Sequence, residues 1–206
     1  YYLRSTGRQH PGADEVIASG RTEWREIVER LTSAPLPAGK RIEYQKQMTH
    51  HLLPEVERAW LGTIRNCFLI RDPAEVIASY IRKNGDPAPE DVGFVQQGEI
   101  FDKVCARTGE IPAVIDAADV LENPERILRL LCDSLGVEWT DTMLSWPAGL
   151  RETDGVWAKH WYSEVVHSTS FRPPRREAPP PVPPHLREVH AACQDAYARL
   201  HGLRLR

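Results

Sequence analysis

The chain has 206 residues, 41% apolar and 27% charged, with a net charge of −3. That is the composition of a soluble globular chain long enough for one well-buried domain, and the mild negative charge gives no general reason to expect nucleic acid or an anionic membrane as partner. No apolar run approaches membrane-spanning length and no secretory signal opens the chain. Trp24, Ile27, Val28 and Leu31 follow the i, i+3, i+4, i+7 spacing of an amphipathic helix, broken by SAPLPAG at 33–39. Residues 41–48 (RIEYQKQM) alternate apolar with polar and predict a strand ending near Thr49-His50-His51. Pro54 then predicts a helix through Val56, Ala59 and Trp60.

The next stretch changes character abruptly. Cys67 to Ile70 is a compact apolar run suited to a parallel strand covered on both faces. Arg71 follows it, and Asp72, Pro73 and Glu75 then supply an N-cap, a first helical residue and a capping box. Val76, Ile77, Tyr80 and Ile81 give that helix one apolar face. Residues 86–90 (DPAPE) read as a loop, Phe94 to Cys105 as a helix ended by Gly109, and Ala113–Ile115 as a short strand. Asn123-Pro124 caps a leucine-rich helix stopped by Gly136. Residues 150–171 show no clean period and read as a loop on the domain. Residues 173–184 are a proline-rich extended spacer, and Leu186 to Leu200 is a last amphipathic helix.

Strands alternating with helices predict a three-layer α/β domain with a mainly parallel sheet. The expected organisation is an α/β domain over 1–172, the spacer over 173–184 and the final helix over 185–206. That helix either docks on the domain or mediates a homodimer. The opening Tyr1-Tyr2-Leu3-Arg4 reads as an interior stretch, so an upstream segment is expected. Cys67, Cys105, Cys132 and Cys193 have no CxxC pair and apolar neighbours, as expected of small buried hydrophobes in a reducing, cytoplasmic compartment.

Ligands of parallel sheets collect at the carboxyl ends of strands, where helix N-termini point N–H groups outward. Arg71 is the first residue past one such end, and its guanidinium suits a phosphate. Ser79, seven residues after Asp72, projects from the same side of the helix as the cap. The same spacing also lets Arg71 merely pair with Asp72 or Glu75, with Ser79 an ordinary helix serine.

Residues 71–80 (RDPAEVIASY) resemble the 3′-phosphate-binding motif of the sulfotransferase family: a strand ending in Arg, then Asp or Asn, Pro, and a Ser eight residues after the Arg. Two further stretches are similar to the family in the same order. One is residues 116–136, a strand, acidic turn, Asn-Pro and helix ending in Leu-Gly. The other is Gly155-Val156-Trp157-Ala158-Lys159-His160-Trp161, similar to the late loop that covers the nucleotide. The resemblance spans roughly residues 40 to 172 and implies a P-loop NTPase-like fold. It implies 3′-phosphoadenosine-5′-phosphosulfate (PAPS) as donor and a small-molecule hydroxyl or amine as acceptor. Arg71 and Ser79 would hold the 3′-phosphate, with Arg151, Gly155 and Trp157 contributing from the late loop. The family's Arg-Lys-Gly triplet reads Arg151-Glu152-Thr153 here.

Lys46-Gln47-Met48-Thr49-His50-His51-Leu52-Leu53-Pro54 is similar to the family's catalytic histidine region, with a longer Lys–His spacing. The resemblance implies His50 or His51 as base and Lys46 as a neutraliser of the leaving group; the bland reading makes them hydrogen-bonded loop residues. Adjacent side chains at a strand end are expected to point apart. His10, His167, His185, His190 and His201 read as structural or solvated, His160 enters only through its motif, and no metal spacing is present. The family's 5′-phosphosulfate loop is not found before Tyr44 and is expected upstream of Tyr1, the alternative being that this chain has lost it. Two other readings stand beside the enzyme: a non-catalytic nucleotide-binding relative, and a P-loop kinase acting on a small molecule.

Overall fold

A computed structural model describes residues 1–173 and 178–206. Three helices open the chain, α1 (Tyr2–Thr6), α2 (Ala13–Ser19) and α3 (Trp24–Ser33). Strand β1 (Cys67–Ile70) leads into α4 (Pro73–Asn84), α5 (Pro89–Val92) and α6 (Phe94–Thr108). Strand β2 (Ala113–Asp116) leads into α7 (Ala117–Glu122) and α8 (Pro124–Leu135). The late loop contains α9 (Ala158–Trp161), and α10 (Arg187–Gly202) closes the order. No described helix is long and apolar enough to cross a membrane.

The two strands pair in parallel, with Phe68 opposite Val114 and Ile70 opposite Asp116. On one face Phe68, Ile70 and Val114 pack with Ile100, Phe101 and Val104 of α6 and Leu200 of α10. On the other, Ile115 packs with Val120 of α7, Ile127, Leu130 and Leu131 of α8, and Leu205. Helices therefore cover both faces of β2 but only one face of β1, where Leu69 is 59% exposed and the expected cover on both faces is missing, and each large apolar side chain buried in this way contributes about 1.5–3 kcal/mol. The final helix belongs to this core, with Cys193 and Leu200 almost inaccessible. It is fixed by Arg199, which donates to Asp102 at 2.7 Å and to the Gly98 carbonyl at 3.1 Å. Past it, the Leu205 N–H donates to the Val114 carbonyl at 2.8 Å, so the C-terminal tail lines β2.

Several expectations fail, each for a local reason. Residues 41–48 are extended but form no strand. Ile42 and Tyr44 are 58% and 80% exposed, so the alternating apolar face packs on nothing that would hold a ladder. Gln45 instead anchors the segment by donating to the Leu31 carbonyl at 3.0 Å. The sheet is accordingly two strands among the described residues, smaller than the pattern suggested. No α-helix follows Pro54. The Arg58 guanidinium takes the carbonyls of Leu52, Leu53 and Val56, which a helix would need for its own ladder, and only a 3₁₀ turn forms over Ala59–Thr63.

Within 86–90, Pro89 starts α5, and the Asp91 carboxylate accepts the Ala88 N–H at 2.9 Å. Inside the late loop a short helix, α9, appears where none was expected. Of the cysteines, Cys132 and Cys193 are buried and Cys105 is half-buried, but Cys67 is exposed, because its side of β1 is left uncovered. Of the spacer, 174–177 lie outside the described residues.

Candidate functional site

At the end of β1 the chain turns into α4 through Asp72, whose carboxylate accepts the N–H of Ala74 at 2.8 Å and of Glu75 at 3.3 Å. The Asp72 carbonyl accepts the Val76 N–H at 3.1 Å. The cap is as expected, but it consumes the first-turn donors, so these N–H groups are not on offer to a ligand. Glu75 completes no capping box. It takes the Arg71 guanidinium instead, through Nε and a terminal nitrogen, each 2.7 Å from Oε2. The pair is partly open to solvent, with Arg71 half exposed.

Glu75, Ser79 and Lys83 succeed one another by four and form one slowly winding stripe on the side of α4 away from buried Pro73, Ala74 and Ile77, and Arg71, which precedes the helix, joins it through its pair with Glu75. Arg71 and Ser79 thus share a side of the helix, with Glu75 between them. Ser79 is half-buried rather than sealed in the core. The stripe ends at Lys83, whose ammonium lies 5.5 Å from the Trp161 ring centroid.

The histidine pair sits on a 3₁₀ turn, Thr49–His51, rather than at a strand end. The two rings therefore meet edge to face at 4.5 Å instead of pointing apart. Thr49 Oγ1 donates to the Gly93 carbonyl at 2.8 Å and locks this turn to the α5–α6 junction. Gly93 has φ +73, and a Cβ there would lie 2.7 Å from Thr49 Oγ1 and 3.5 Å from His50 Nδ1. Four residues on, Gln97 donates to the Leu69 carbonyl at 3.0 Å. One turn of α6 thus links the histidine pair to the carboxyl end of β1, the end that carries Arg71.

Tyr2 covers the pair, stacked on His51 at 4.4 Å and edge-on to His50 at 5.6 Å. Burial lowers the pKa of His50; Arg8 adds to this, and Asp91, itself paired with Arg8, opposes it. His51 keeps a solvent-facing edge, but Tyr2 shields one face of its ring. That desolvation, with His50, Lys46 and His10 adding positive charge, pushes its pKa down to about 4. His50 and His51 thus sit against each other, with the charge of Lys46 acting on His51.

The late loop is held differently from the expectation. Arg151 is exposed and its N–H is fixed by Asp154 at 2.8 Å. Trp157 folds back over Gly155, where a Cβ would lie 2.2 Å from Trp157 Nε1, and meets Tyr162 edge-on at 5.1 Å. No described contact joins Arg151, Gly155 or Trp157 to Arg71 or Ser79. Trp161 is the residue that reaches α4, and its Nε1 donates to His10 Nε2 at 2.9 Å. Sequence reading missed His10, which lies 151 positions from its partner. It also missed Lys83, although Lys83 is four residues past Ser79 and that spacing was readable. A cleft of about 370 Å³ lined by Arg65, Asn66, Pro112 and Ser134 lies by the amino ends of the strands, away from these residues.

A family model described as a sulfotransferase domain matches residues 1–194. The chain belongs to the sulfotransferase family. Among curated proteins, this sulfotransferase-family chain is similar to two from Arabidopsis thaliana named branched-chain-amino-acid aminotransferase-like protein 1 and protein 2. They are 31% and 29% identical over 175 residues, 85% of this chain. The chain spans 31% of the length of each, so their name describes proteins about three times as long as the matched segment. No solved structure matches the chain.

Proposed function

We propose that the chain transfers a sulfuryl group from PAPS to a hydroxyl or amine of a small-molecule acceptor, in the cytoplasm. The observation that carries the reading is the α4 stripe: a guanidinium at the mouth of β1 and a hydroxyl two turns along, continuing to the lysine under Trp161. Residues of this type fit a doubly charged ribose phosphate. Arg71 supplies charge and two parallel donors, Ser79 a third donor, and neither is shut in the core. Because the Asp72 cap occupies the helix-end N–H groups, these two side chains carry the recognition. Glu75 has to release Arg71, and an exposed i, i+4 pair worth about 0.3–0.5 kcal/mol permits that. A P-loop NTPase-like topology accords with the parallel βα units.

The donor, when bound, supplies the activated sulfuryl group. His50 is the better base of the pair: the Asp91 carboxylate offsets the cost of its imidazolium, whereas His51 is surrounded by positive groups. His50 takes the proton from the acceptor heteroatom as that atom bonds to sulfur. Lys46 holds positive charge beside the pair and stabilises negative charge accumulating on the leaving phosphate.

The test is thermal. Adenosine 3′,5′-bisphosphate should raise the melting temperature of the wild type, and Arg71→Ala should abolish the shift while keeping its circular dichroism. An unchanged shift in Arg71→Ala removes Arg71 from the site.

A further inference from the structure

His10 is bound through one ring nitrogen and idle at the other. Nε2 accepts the Trp161 N–H at 2.9 Å, while Nδ1 is buried without a hydrogen-bond partner among the described residues. An imidazole that accepts at Nε2 is neutral and carries its proton on Nδ1. An imidazolium has no acceptor, so the Trp161 bond exists only with neutral His10. Two further contacts join the same segments: Gly12 packs against the His160 ring, and Lys159 is paired with Glu15.

We propose that His10 is a positioning residue that latches the Gly155–Trp161 loop against the segment between α1 and α2, and that protonation of His10 opens the latch. The surroundings suit this behaviour. His51 faces His10 from the histidine turn, His160 sits against Gly12, and Lys83 lies across the Trp161 ring. Two carboxylates on the adjoining segments, Asp91 and Glu15, are already engaged by Arg8 and Lys159. A protonated His10 would lose Trp161 and find no free anion among these groups to hold it in place. The consequence for nucleotide affinity rests on the reading above, in which this loop covers the donor; the latch itself does not.

The test is amide hydrogen exchange over 156–162 in the ligand-free protein at pH 8 and pH 5.5, corrected for intrinsic rates. Losing one such bond corresponds to roughly five- to tenfold faster exchange. Wild type should show that rise on acidification. His10→Phe should show it already at pH 8. His10→Gln, which keeps an acceptor near the position of Nε2, should stay protected at both pH values and keeps the test readable should Phe disturb packing. Exchange in wild type that ignores pH, or His10→Gln following the wild-type pH response, overturns the proposal. Binding of adenosine 3′,5′-bisphosphate is measured in parallel. If the exchange pattern holds while affinity ignores both pH and His10, the latch stands and the covering role of the loop falls.

Discussion

Arg71 closes on Glu75 through two of its nitrogens, both 2.7 Å from the same carboxylate oxygen. A guanidinium assigned to a phosphate is thus held by a carboxylate four residues away. Ligand and carboxylate compete for one cation. Glu75→Gln should therefore tighten adenosine 3′,5′-bisphosphate by about two- to fivefold, through loss of the competing pair and of its repulsion toward the phosphate. Titration calorimetry measures this. Weaker binding in Glu75→Gln would mean that the carboxylate orients Arg71 rather than occupying it.

The histidine turn depends on Gly93. Alanine there would adopt φ +73 with its Cβ 2.7 Å from Thr49 Oγ1. Gly93→Ala should cost about 1–3 kcal/mol of stability. It should also lower kcat more than it weakens nucleotide binding, since it displaces the proposed base and leaves Arg71 untouched. Urea unfolding and steady-state rates read the two effects separately.

With His50 as the proposed base, the acid side of the pH profile follows from its surroundings. Its folded pKa is lowered by burial first and by Arg8 second. A base must be deprotonated to work, so the acidic limb of kcat/KM should lie below the usual histidine value of about 6.5. The same sign governs stability. With His51 at about 4 in the folded state, the unfolded chain binds more protons between that pH and about 6.5. Stability should therefore fall as pH drops through that window, and His51→Gln should blunt the fall.

Much of the framework was readable because it rests on local chemistry. Asp72-Pro73 and Asn123-Pro124 cap the helices they were expected to cap, since such signals act within one turn. The strand over 41–48 and the helix after Pro54 failed for non-local reasons. Alternation cannot make a strand without a neighbour, and the Arg58 side chain took carbonyls that propensity assigns to a helix. The site divides in the same way. The roles given to Lys46, His50, His51, Arg71 and Ser79 come from the family resemblance, whereas the placing of Arg71 and Ser79 on one side of α4 was legible from spacing. The partnership of Trp161 with His10 was not, because it joins two segments that only the fold brings together.

Asp116 and Tyr197 give a check on the frame that carries the site. Asp116, 3% exposed at the end of β2, accepts the Ala118 N–H at 2.7 Å and the Tyr197 hydroxyl at 2.9 Å. Burial, with this carboxylate, raises the Tyr197 pKa, so the phenol stays a donor at any working pH. Tyr197→Phe removes one donor from a buried carboxylate and should destabilise the fold by about 1–3 kcal/mol. Denaturant unfolding of the variant measures it, and a neutral result would mean water replaces the phenol.

The central claim is that Arg71 and Ser79 recognise a ribose 3′-phosphate. The direct measurement compares binding of adenosine 3′,5′-bisphosphate with adenosine 5′-phosphate in wild type, Arg71→Ala and Ser79→Ala. The wild type should prefer the bisphosphate, Arg71→Ala should lose roughly 10- to 100-fold of that preference, and Ser79→Ala should lose a smaller part. A preference that survives intact in both variants would contradict the assignment.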